Sequence, residues 1–175
     1  GWEVNTSWLS EDGSKVCGYS TDNYNGYQYG GAYVEMDFIS GKQVVKTEYD
    51  ISVGPVFNVA ALNYADGYIY GFGFDPSGNP VWARANSSTP TVFETVRGFQ
   101  SGDPLLCSMA YCQADGMMYG VTSNGKFVSF DSEFKMTELI AFLEVPGFKS
   151  FITGLCYSDK DNMFYWNVNA ANPNN

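Results

Sequence analysis

The chain has 175 residues, enough for one domain with a substantial core. It holds 13 Tyr, 13 Phe, 4 Trp and 19 Gly with only 16% charged residues, a composition that favours strands joined by tight turns and reads as all-β. The net charge is −10 with no Lys/Arg cluster, which argues against nucleic-acid binding through phosphates, and no run of 18 apolar residues marks a membrane span.

The first unit, 1–54, opens with strand-like residues before Glu11-Asp12-Gly13. The polar stretch "TDNYNGYQY" follows, and its Asp22, Asn23 and Asn25 form at most a weak calcium loop, because an EF-hand spacing would need Asp or Glu where Tyr33 stands. "AYVEMDFI" and "QVVKTEYDI" then flank Ser40-Gly41-Lys42, with charged and apolar residues nearly alternating. The second unit, 55–103, begins with "VAAL", turns at Asp66-Gly67, and turns again at Ser77-Gly78-Asn79. The third, 104–149, repeats the plan: "SMAY", Asp115-Gly116, then Ser123-Asn124-Gly125. The fourth, 150–175, carries "TGLC", Asp161-Asn162 and "MFYWNVNA", the first two strands of the same plan.

Asp12, Asp66, Asp115 and Asp161 therefore recur at spacings of 54, 49 and 46 residues. Each sits between two strand-like runs, where Asp-Gly or Asp-Asn predicts a two-residue type I′ hairpin turn with both central residues at positive φ. Tyr70, Tyr119 and Tyr165 follow on the second strand, and their repetition predicts packing between units. Four short strands in 45–50 residues match the period of propeller blades.

"YVEMDFISGKQVV", "DGYIYGFGFDPSGNPVW" and "DGMMYGVTSNGKFVSFD" carry the resemblance that these signals build. The chain resembles the β-propeller superfamily, in its secreted bacterial, quinoprotein-like or Kelch-like variety, with about three and a half four-stranded antiparallel blades. No Trp-Asp ending recurs, and Gly30-Gly31 is a single Kelch-like double glycine. The expectation is a partial propeller within a larger ring of about seven blades. Association of two copies through open flanks and a strained four-bladed ring are the alternatives.

Chemistry-bearing motifs are few. The sequence has no His, which removes the usual base of nucleophilic triads and weakens any zinc reading. No Gly-x-Ser-x-Gly occurs, and the glycines of "GYIYGFGFD" open no helix. Glu11-Asp12 and Asp159-Lys160-Asp161 pair carboxylates, but at turn positions that favour Asp for local hydrogen bonding. Cys17, Cys107, Cys112 and Cys156 lack metal or disulfide spacing, and the last three lie in apolar runs, so free core thiols are expected. Asn5-Thr6-Ser7 and Asn86-Ser87-Ser88 match the N-glycosylation triplet.

The resemblance implies a ligand face at the loops joining strand four to the next blade and strand two to three. Phe99, Gln100, Phe148, Lys149, Asn79 and Asn124 are the candidates there, with Phe99 and Phe148 serving alternatively as plugs between blades. The expected function is a non-enzymatic binding module for protein or polysaccharide, needing no cofactor and placed in a secreted, periplasmic or cell-surface setting. The alternatives are part of a propeller lyase or hydrolase whose catalytic groups lie partly in other blades, or an assembly piece completed by a partner or second copy.

Overall fold

The computed structural model describes residues 2–24, 27–141 and 149–171, with side chains over 3–22, 30–139 and 154–167. Phe148 and Asn25 lie outside the described residues, as do the side chains of Lys149 and Asn23. Among the described residues there is no helix, and so none long and apolar enough to cross a membrane. The strands are β1 (Trp2–Leu9), β2 (Lys15–Tyr24), β3 (Tyr27–Asp37) and β4 (Gln43–Tyr49), then β5 (Val56–Asn63), β6 (Tyr68–Phe74), β7 (Pro80–Asn86) and β8 (Phe93–Gly98). They continue as β9 (Leu106–Cys112), β10 (Met117–Thr122), β11 (Lys126–Phe130) and β12 (Met136–Ala141), and end with the hairpin β13 (Lys149–Ser158) and β14 (Met163–Ala171). Each set of four makes one antiparallel sheet in chain order, and β13–β14 makes a two-stranded sheet. This is the expected all-β arrangement of propeller-type blades.

The chain divides into two compact units, Gly1–Phe99 and Gln100–Asn175. In the first, β1 packs against β5, and Tyr19, Tyr33, Phe57, Ala60, Ile69 and Ala83 form the buried layer between the two sheets. Tyr19 lies 5.1 Å from Phe57 and 5.9 Å from Phe93, ring centre to ring centre, so this layer is largely aromatic. In the second unit β9 packs against β13, and Ala110, Val121 and Leu155 are buried beneath Tyr119, Phe127 and Phe164. In the second sheet β5, β6 and β7 are mostly buried, whereas β8 has no buried residue.

Two features recur that the sequence does not announce. Every first strand has a β-bulge at the same register position: Asn5, Asn58, Cys107 and Thr153 are each the extra residue between paired neighbours. The residue after the bulge then ties adjacent first strands together. Thr6 Oγ accepts the Ala60 N–H at 2.8 Å and donates to the Ala60 carbonyl at 3.1 Å. Ser108 Oγ, at the matching position, accepts the Leu155 N–H at 2.8 Å.

The hairpin turns differ from the two-residue type I′ form. Asn63 pairs with Tyr68 and Cys112 with Met117, so four residues intervene in each loop. Only Gly67 (φ +74°) and Gly116 (φ +73°) are left-handed, and their N–H groups reach back to the carbonyls of Asn63 and Cys112. The aspartate stays at ordinary φ and works through its side chain: Asp66 Oδ1 accepts the Tyr68 N–H and Asp115 Oδ1 the Met117 N–H. Asn162 (φ +51°) takes the glycine's place in the fourth loop, as Asn tolerates this region.

All four cysteines are free, but only Cys17 and Cys112 are buried. Cys107 is exposed because it is the bulged residue of β9. Cys156 is exposed because its neighbour Leu155 takes the packed face, and side chains alternate along a strand.

Candidate ligand-binding site

The loop-end residues named from the sequence fall into three environments. Phe99 follows β8 and packs on Trp82, nearly parallel at 6.3 Å, and on Phe72 at 5.9 Å. Both rings belong to the second sheet, β6 and β7. Gln100 is exposed, and its N–H donates to Asp103 Oδ2 in the following turn. Asn79 and Asn124 lie in the matching loops β6–β7 and β10–β11 but at different places. Asn79 ends its loop bound to Asp75 through both its N–H and its side-chain amide. Asn124 sits mid-loop, where its Oδ1 accepts the Thr122 hydroxyl, and Thr122 also accepts the Lys126 N–H. Lys149 opens β13 opposite Ala171. Asn79, Gln100 and Asn124 are all exposed, and the side chains of Asn79 and Asn124 are engaged locally. Of the calcium candidates, Asp22 pairs with Trp2 and Gly30 in the strand ladder. Among the described residues no group of three or more His, Cys, Asp or Glu gathers to hold a metal.

A different place, inside the first unit, departs from the repeat. Register aligns the first sheet with the third. Cys17 pairs with Trp8 and Glu35, as Tyr119 pairs with Ala110 and Ser129. Tyr19 pairs with Tyr33, as Val121 pairs with Phe127. In the second unit the tyrosine fills its place. Tyr119 stacks on Phe127 at 5.3 Å, lies 4.8 Å from Phe164, and donates its hydroxyl to Asp115 Oδ2 at 2.5 Å. The hydroxyls of Tyr70 and Tyr165 reach Asp66 and Asp161 in the same way, at 2.7 and 3.1 Å. The first sheet lacks this tyrosine. Cys17 is much smaller, and a cleft of about 470 Å³ opens beside it, within the size range of small-ligand sites.

Trp8, Leu62 and Ile69 give the cleft its apolar wall, and Ser10, Glu11, Asp12 and Ser87 form its rim on the β1–β2 and β7–β8 loops. These loops are at the strand ends opposite the loop that carries Asn79. The polar centre is Glu35. Its Oε2 accepts Lys15 Nζ at 2.7 Å, and its Oε1 accepts the Tyr33 hydroxyl at 3.0 Å. Glu35 holds the Lys15 ammonium above its ordinary value, and partial burial pushes the Tyr33 phenol up further still. Burial likewise raises the Cys17 thiol. On the rim, Asp12 Oδ1 accepts the Ser14 N–H and the Ser10 and Ser14 hydroxyls, which hold its carboxyl at about 2 instead of 3.8. The site was not visible in the sequence because it consists of an omission, a Cys and a Glu where other blades carry Tyr and Ser or Arg.

No protein-family model matches the sequence, and no curated protein matches it. Solved structures do resemble it. A Bacteroides thetaiotaomicron protein of unknown function matches 95% of this chain at 12% identity and a TM-score of 0.65, and the match covers 42% of that protein. The Dos1 propeller matches 95% of the chain at 12% identity and a TM-score of 0.52, over 39% of its own length. A chain of a nidogen/laminin complex matches 95% at 12% identity and a TM-score of 0.50, over 52% of its length. The chain thus spans 39–52% of these proteins. The likeness and the four-stranded sheets establish the fold: these are β-propeller blades.

Proposed function

We propose that the protein is a binding module of propeller type, extracytoplasmic, recognising a polysaccharide or a protein through the cleft between its first two sheets. One observation carries the reading. At a position where three blades place a tyrosine, the first blade has Cys17 and an ion pair, and space opens beside the Trp8 indole. A break in an otherwise consistent repeat is where function is expected. A binding role fits the groups better than catalysis does, since Glu35 is engaged by Lys15 and Tyr33. Fold neighbours that occur in a nidogen/laminin complex support a module that works by association.

The test is a panel of polysaccharides and cell-envelope proteins screened with the wild type and with two variants. Cys17→Tyr supplies the side chain the other blades use and fills the cleft. Ser87→Trp obstructs the exposed rim without touching the core. A ligand bound by the wild type and lost in both variants, with melting temperatures held, is the expected result. Binding that survives both substitutions, or a folded wild type that binds nothing on the panel, overturns it.

A further inference from the structure

On the reading of this cleft as a ligand site, we infer that its ligand is a neutral saccharide whose pyranose ring lies against Trp8 and whose hydroxyls bridge Lys15 and Glu35. The charge balance selects the class. Glu11, Asp12 and Glu35 face a single Lys15 in the lining, which repels an anionic ligand. For a cationic ligand, Glu35 is already paired with Lys15 and Tyr33 and Asp12 Oδ1 takes three donors, which leaves Glu11 at the exposed rim. A basic side chain entering would also meet the Lys15 ammonium.

What the cleft keeps available is a set of donors and acceptors in close alternation. Lys15 has three N–H donors, with one given to Glu35, and its side chain is 43% exposed. Each Glu35 oxygen accepts one protein donor and retains a second lone pair, and the side chain is 18% exposed. A sugar hydroxyl is at once donor and acceptor, so it can accept a hydrogen bond from Lys15 and donate one to Glu35. Peptide groups offer donor and acceptor on separate atoms and do not match this alternation. Trp8 supplies the flat apolar surface that a pyranose face needs. It packs on Tyr19 at 5.7 Å and Tyr33 at 6.5 Å, which fix the indole, and its remaining surface forms the cleft wall with Leu62 and Ile69. An indole already held in place costs little ordering on binding.

The experiment titrates the intact chain with neutral gluco-, manno- and galacto-oligosaccharides, with anionic oligogalacturonate, and with oligolysine and oligoglutamate peptides. Calorimetry gives affinity and tryptophan fluorescence gives the response of the indoles. The expected result is binding of at least one neutral oligosaccharide, with a fluorescence change lost in Ser87→Trp. Lys15→Met and Glu35→Gln should each weaken it about tenfold or more, the loss of one hydrogen bond to a charged group. Equal binding by both variants overturns the inference. So does preference for oligogalacturonate or either peptide; if that preferred binding is lost in Ser87→Trp, the cleft remains the ligand site and only the ligand class is wrong. No binding by any probe counts against both.

Discussion

Where Tyr119 of the third sheet stacks on Phe127, touches Phe164 and closes on Asp115, the first sheet has Cys17 beside Tyr33, Ile69 and the Lys15–Glu35 pair. The first-strand bulge and a hydroxyl tie between adjacent first strands recur in the two regions. One place is packed with aromatic rings and the other holds charge around a cleft. A repeat sets its scaffold by what recurs and its site by what does not, and the first two sheets show both within one buried layer.

The largest expected effect is in the shared scaffold. Phe57 is fully buried against Tyr19 and Phe93, and Gly71 lies so close that a Cβ there would come within 2.4 Å of the Phe57 ring. Phe57→Ala should cost about 3–5 kcal/mol by denaturant titration. Phe164→Ala, at a half-buried ring in the second unit, should cost less. Equal losses would mean that the two layers are not ranked by burial. The hydroxyl ties come next. Thr6→Val leaves both the N–H and the carbonyl of Ala60 without this partner, and about 1–3 kcal/mol should be lost, whereas Ser108→Ala removes one bond and about 1 kcal/mol.

The smallest effect is electrostatic. Asp12 is held at about 2, below the usual 3.8, by the Ser14 N–H and the serine hydroxyls. Its contribution to the β1–β2 turn is therefore complete above the usual value and is lost as pH falls through about 2. Carboxyl NMR shifts should give that midpoint in the wild type and a higher one in Ser14→Ala. A midpoint near 3.8 in the wild type would remove the turn geometry from the account.

The sequence discloses the blades well, because Asp-Gly between strand-like runs and a regular period are local signals. It misleads on the turn type, since "ADG" reads as a two-residue turn while the side chain of Asp66 organises a four-residue loop. The bulges at Asn5, Asn58, Cys107 and Thr153 are illegible, since no one residue type marks all four. Phe99 shows the other limit. It repeats at a loop end, and in the structure it is stacked on Trp82, a contact between residues 17 positions apart that no local pattern encodes. The cleft escapes for a related reason. Cys17, Tyr33 and Glu35 look like ordinary strand residues until register sets them against Tyr119, Phe127 and Ser129.

The central claim is that charge sits in the first sheet for ligand binding and not for stability. Its most direct test is the denaturation midpoint of the double variant Lys15→Met with Glu35→Ser, which gives the first sheet the residues of the third at Met117 and Ser129. The account predicts a midpoint equal to that of the wild type or higher. A fall comparable to that of Phe57→Ala would contradict it and make the pair part of the scaffold.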